Sequence, residues 1–219
     1  MEKKKVLIEL DFVLRDWVNA LENIYILRIG DLVTKIEDLE KIWDYFPFPN
    51  YIELEKESES DPEIMERIMA EDKKSPWKPD RKIFNEFVLD NILEIYGHAK
   101  EAVPNAIAHI NKLQQENPDW EITLYSTSKS KAIPATLFFL SKSGCEIKNI
   151  KFINNWLDVD LEYQTGIVQF WDVVITSNPD FYPITKNRFY LVNTQFNSIP
   201  NSIFDPYRIN SIKEVISFT

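Results

Sequence analysis

The sequence predicts an α/β fold: a Rossmann-like, parallel, five-stranded sheet with flanking helices and an inserted helical cap. Three observations predict it. Apolar runs of strand length occur at 5–11, 121–125, 147–153, 171–175 and 188–192. Segments with apolar residues at helical spacing alternate with the earlier of these runs, and that alternation indicates a parallel sheet. A helical stretch from about residue 15 to 100 separates the first strand from the next strand–helix units. It reads as an insertion over the carboxyl ends of the strands, where open α/β sheets bind ligands.

The elements follow in order. After strand 5–11, Trp17, Leu21 and Ile24 recur at helical spacing in a helix expected from Arg15 to about Val33. Asp31 opens a further helix, which the Phe46-Pro47-Phe48-Pro49 run breaks. Residues 53–61 are nearly all charged or serine and read as an exposed loop. Pro62 starts another helix, and 81–96 form a strongly amphipathic one with Phe84, Phe87, Val88, Ile92 and Ile95 on one side. Pro104 marks the first turn of the next helix. Strand 121–125 then ends in Ser126-Thr127-Ser128. A helix over 131–143 closes at Gly144, a natural residue for the position just past a helix end. The tail, 211–218, reads as a short helix. The expected organisation is a core of 1–14 and 98–219 with a cap of 15–97.

Composition narrows the function. The 219 residues carry a formal charge of −10, which repels phosphate backbones, so no nucleic-acid partner is expected. No apolar run approaches a membrane span, so no membrane partner is expected either. One cysteine, Cys145, excludes an internal disulfide and fits a reducing, cytoplasmic setting. His98 and His109 have no cysteine or histidine partner at ligand spacing.

The candidate chemistry starts at Glu9 and Asp11. Side chains at i and i+2 of an extended segment share a face, so the first strand delivers two carboxylates to its end. Such a pair can hold a magnesium ion or divide nucleophile and acid/base roles.

Glu9-Leu10-Asp11-Phe12-Val13-Leu14 resembles the aspartate-x-aspartate-glycine-valine-leucine opening of the haloacid dehalogenase-like (HAD) phosphohydrolases, nearest in look to the 5′(3′)-deoxyribonucleotidases. Val103-Pro104-Asn105-Ala106 is similar to their proline-glycine-alanine helix entry, and Tyr125-Ser126-Thr127-Ser128 to their threonine-serine strand end. The resemblance implies a nucleophile at position 9, a general acid/base at Asp11, and phosphoryl binding at Thr127 with Ser128 beside it. It also implies a lysine before the fourth strand and two magnesium-binding aspartates after it.

This chain departs from that pattern at several of these places. Glu9 is one methylene longer than aspartate, a displacement of ~1.5 Å, and about 1 Å can cost about a hundredfold in rate. No lysine lies between Lys151 and Lys186, and Thr176 and Ser177 replace the metal ligands. Phosphoryl transfer depends on charge neutralisation by such groups.

The expectation is therefore a catalytically inactive HAD-like protein with Glu9, Asp11 and Thr127 as a vestigial site and no metal or other cofactor. It would act as a binding, scaffolding or assembly component, with a protein or an assembly such as a virion as partner. The alternatives are an active magnesium-dependent nucleotidase or phosphatase, and a sensor that binds nucleotide or phosphate at Thr127 and Ser128 without hydrolysis. Asp172 precedes the fourth strand and is expected at the sheet's far end, away from the carboxylates.

Overall fold

The computed structural model describes residues 3–29, 87–126, 128, 131–152, 171–178, 181–182, 185–194, 197 and 205–215. The central strand is β1 (Lys4–Glu9), flanked by β4 (Trp120–Ser126) and β6 (Trp171–Thr176). Outside them lie β5 (Asn149–Phe152) on one side, and β7 (Thr185–Val192) then β8 (Arg208–Ile209) on the other. Every pairing is parallel, in the order β5-β4-β1-β6-β7-β8. The sheet thus has six strands where five are expected, the sixth being β8, whose two residues are too few to show a period.

Alternation along the strands divides the core. Val6 and Ile8, Ile122 and Leu124, and Val173 and Ile175 pack on one face against Ile107 and Ile110 of α2 (Ala106–Glu116) and Phe139 of α3 (Ala132–Lys142). Leu7, Tyr125, Val174, Phe189 and Leu191 form a second cluster with Trp171 and Phe181. Burial of each such side chain contributes about 1.5–3 kcal/mol relative to exposure, which fixes strand register as well as fold.

The predicted helix start at Arg15 is displaced. Arg15 and Asp16 form β2 (Arg15–Asp16), antiparallel to β3 (Lys100–Glu101), and α1 (Trp17–Ile29) begins after them. Asp16 Oδ1 accepts the Asn19 N–H at 3.0 Å and so caps α1. Trp17 stacks on Tyr96 with ring centroids 5.0 Å apart. This two-stranded ribbon brackets the chain between α1 and residue 100. The expectations for 30–86, including the Phe46–Pro49 break, the 53–61 loop and most of the cap, lie outside the described residues.

The helix at 87–92 continues into a π-helical turn, Leu93–Gly97, that packs on α3. A Cβ at Gly97 would lie 2.8 Å from Leu93 Cδ1, 3.0 Å from Phe138 Cδ1 and 3.3 Å from the Ala135 carbonyl oxygen. Gly97→Ala is therefore expected to cost about 1 kcal/mol by overpacking, read as a lower urea midpoint at unchanged slope. Gly144 closes α3 as expected. It has φ 70°, its N–H donates to the Ser141 carbonyl, and the Cys145 N–H donates to the Leu140 carbonyl. Pro104 lies two residues before the first residue of α2 rather than in its first turn, because Asn105 occupies the cap. The tail contains a single 3-10 turn, Ile212–Glu214, rather than a helix across its described part.

Candidate functional site

Glu9 is the last residue of β1, and the chain bends at Leu10 into a tight turn. Leu14 N–H and Arg15 N–H both donate to the Leu10 carbonyl, and Phe12 N–H donates to the Arg15 carbonyl. The turn places Phe12 at φ 68°. Asn105, before α2, has φ 64°. These two non-glycine residues in left-handed backbone stand where the resembling motifs have glycine. The backbone shape is held by the surrounding hydrogen bonds and packing, at a cost of about 1–3 kcal/mol for each such residue.

Because the strand stops at Glu9, the two carboxylates do not extend from one strand face as predicted. They are held by different elements. Glu9 reaches β6: its Oε2 accepts Thr176 Oγ1 at 2.8 Å, the Ser177 N–H at 2.5 Å and Ser177 Oγ at 2.8 Å. Thr176 Oγ1 in turn accepts the Asn178 N–H at 2.9 Å and lies 2.6 Å from Tyr125 Oη. Since the Thr176 proton goes to Glu9, Tyr125 is the donor there. Glu9 is buried at 6% exposure. Burial is the main reason its pKa is pushed up from 4.5 to about 7, with the three donors pulling it down and the Asp11 charge adding to the rise.

Asp11 is held by Arg15. Its Oδ1 accepts Arg15 Nε at 3.1 Å and Nη2 at 2.5 Å, and its Oδ2 accepts Ser126 Oγ at 2.6 Å. Arg15 is fully buried, and its guanidinium lies over the Tyr96 and Phe139 rings at 5.1 Å and 5.5 Å. Its remaining N–H groups donate to the Tyr96 carbonyl at 3.2 Å, Thr136 Oγ1 at 2.9 Å and Ser128 Oγ at 3.1 Å. All five guanidinium protons are thereby used.

The hydroxyls complete a ring. Thr136 donates to Ser128 at 3.0 Å, and Ser128 and Ser126 are 2.8 Å apart. Ser126 spends its proton on Asp11, so Ser128 donates to Ser126. The circuit Arg15, Thr136, Ser128, Ser126, Asp11 and back to Arg15 is closed. Ser128 is therefore tied into this ring, while Thr127 lies outside the described residues.

A magnesium ion does not fit this donor set. The carboxylate oxygens given above already accept five side-chain donors and one backbone N–H, and Thr176 and Ser177 offer neutral hydroxyls that point their protons at Glu9. Magnesium needs anionic oxygens in near-octahedral array. Among the described residues no group of three or more His, Cys, Asp or Glu could hold a metal ion. Asp172 lies where its position predicts, at the opposite end of the sheet: its carboxylate accepts the Lys5 N–H at 2.8 Å and Asn187 Nδ2 at 3.1 Å.

Residues that sequence reasoning did not assign to the site are Arg15, Tyr125, Ser126 and Thr136. A signal existed for Arg15, a lone cation four residues after Asp11 at the end of an apolar run. The others are common residue types on a strand and a helix that only the fold brings together.

No protein-family model and no curated protein matches the chain. Solved structures do match. A dehalogenase determined with an intermediate complex is 13% identical with TM-score 0.61, over 100% of this chain and 99% of its own. A second dehalogenase structure is 12% identical with TM-score 0.59, over 99% and 98%. The HAD-hydrolase YfnB from Bacillus subtilis, bound to magnesium, is 14% identical with TM-score 0.56, over 98% and 97%. These likenesses establish an α/β, HAD-like fold for this chain.

Proposed function

We propose that this protein is a non-catalytic HAD-like protein that acts as a binding, scaffolding or assembly component. The observation that carries the reading is Asp11. A general acid/base must exchange protons with a substrate, yet both its oxygens are occupied and a buried guanidinium neutralises it. Glu9, at the nucleophile position, is equally engaged and bears its charge with difficulty at neutral pH. The degenerate nucleotidase-like motifs support the same reading. An apolar surface supports a partner: Leu93 and Phe138, 48% and 41% exposed, meet at Gly97 where α3 packs on the π turn.

The experiment is a turnover screen of the purified protein. Substrates are p-nitrophenyl phosphate and nucleoside monophosphates with magnesium, and 2-haloacids read by halide release. The expected result is no rate above the buffer blank. Turnover lost in a folded Asp11→Asn variant would overturn the proposal. Thermal shifts with nucleotides test the sensor reading and are expected to be flat. Capture of a specific protein partner from the native source then identifies what is bound.

A further inference from the structure

The chain carries 35 aspartates and glutamates, yet residues 122–145 contain none. α3 lies in that interval, with Lys131 at its cap and Lys142 as its last residue. Both lysines are exposed, and neither makes an ion pair among the described residues. A cation at the cap opposes the helix dipole, and the first turn holds no acid to offset it. Lys131 therefore does nothing for the stability of α3 itself.

Between the lysines the outer face of α3 is mostly apolar. Pro134, Leu137, Phe138 and Ser141 are exposed, at the i, i+3, i+4 and i+7 spacing of one helix face. Lys131, Phe138 and Lys142 fall within about 20° of one line along the helix, because their separations are close to whole turns. Leu93 of the π turn widens this ridge: a Cβ on Gly97 would meet Leu93 Cδ1 at 2.8 Å and Phe138 Cδ1 at 3.0 Å. The His98 ring lies 5.2 Å from that of Phe138.

We propose that this face of α3 docks an amphipathic helix of a partner protein, one whose apolar stripe carries an acidic residue at each end. This deepens the binding role proposed above and rests on it for its purpose. The shape argues for a helix. A straight ridge about 16 Å long is matched by one helix laid along another. The charge argues for acids. Two exposed lysines at the ends of an apolar ridge steer an acidic partner and set its register. The charge of −10 on the whole chain disfavours both a second copy and an anionic lipid surface.

Two helical peptides with the same leucine-alanine face test this, one with glutamate and one with lysine at both ends, spaced as Lys131 and Lys142 are. In fluorescence anisotropy with the full chain, the glutamate peptide should bind about tenfold more tightly at low salt, and the difference should shrink as salt rises. Lys131→Glu/Lys142→Glu should reverse the preference. Phe138→Ser should weaken the glutamate peptide about tenfold. All three side chains are exposed, so both variants should keep the wild-type urea midpoint. Equal binding of the two peptides to the wild type, or binding of neither, overturns the proposal, as does unchanged binding in Phe138→Ser. A dimer in sedimentation velocity that Phe138→Ser dissociates would assign the face to a second copy. Uptake by phosphatidylserine vesicles that the same variant abolishes would assign it to lipid. Either result overturns the partner helix. Turnover in the screen above would count against the non-catalytic reading alone, and a failed peptide preference against this face alone.

Discussion

Arg15→Met is expected to lose about 3–5 kcal/mol of stability, the cost of stranding one partner of a buried ion pair. Asp11 would stay buried at 3% exposure with no cation against it, and the Tyr96 carbonyl, Thr136 and Ser128 would each lose a donor. The pair itself is a different quantity. Taking two charges out of water offsets much of their attraction, so removing both ends can be nearly neutral. The double variant Arg15→Met/Asp11→Leu should accordingly recover a large part of the loss, short of the hydroxyl ring it also breaks. Urea unfolding of the wild type, both single variants and the double variant gives the coupling energy. A loss below about 1 kcal/mol in Arg15→Met would mean that the ring is solvated in solution and that Asp11 is available for chemistry after all.

Glu9→Gln should change the pH dependence of stability more than stability itself. In the folded protein the Glu9 carboxyl titrates at about 7, above its ordinary 4.5, so between those values the folded state binds more protons than the unfolded one. Its contribution is fully present below pH 4.5 and is lost as pH rises through 7. The 2.5-unit difference between those values corresponds to about 3 kcal/mol at 1.36 kcal/mol per unit. Glutamine keeps an acceptor for Ser177 and cannot ionise. The stability of Glu9→Gln relative to wild type should therefore rise by about 3 kcal/mol between pH 4.5 and pH 8, as measured by unfolding at matched ionic strength. A relative stability that stays level, or that moves the other way, would show that the Glu9 carboxylate is comfortable when charged.

The parts of the fold that were legible in the sequence are those where apolar runs are long enough to show a period. β1, β4, β6 and β7 fall within or close to the runs that predict them, and Gly144 stops α3 by a mechanism visible in one residue. The ribbon of β2 and β3 and the added strand β8 have two residues each, and no period can reveal them. The sequence places Arg15 in a helix, where charge between apolar positions is ordinary. Its actual place, buried between two aromatic rings, depends on Tyr96 and Phe139, which are 81 and 124 residues further along the chain. The separation of Glu9 from Asp11 is hidden from the sequence for a related reason. Spacing of two puts side chains together only while the strand lasts, and this strand ends at the first of them.

The strand order also governs how the chain can be made. β1 emerges first but belongs in the middle, and the hydroxyl that holds Glu9 lies 167 residues downstream. At about 5–20 residues per second, on the order of ten seconds of synthesis separate the two. Until then the apolar run Val6-Leu7-Ile8 has one lateral position to fill from β4 and another that stays open. The acid at its tip is meanwhile in water and ionised. Closing the sheet is thus a late event, and nascent chains stalled before β6 should expose a sticky central strand to chaperones.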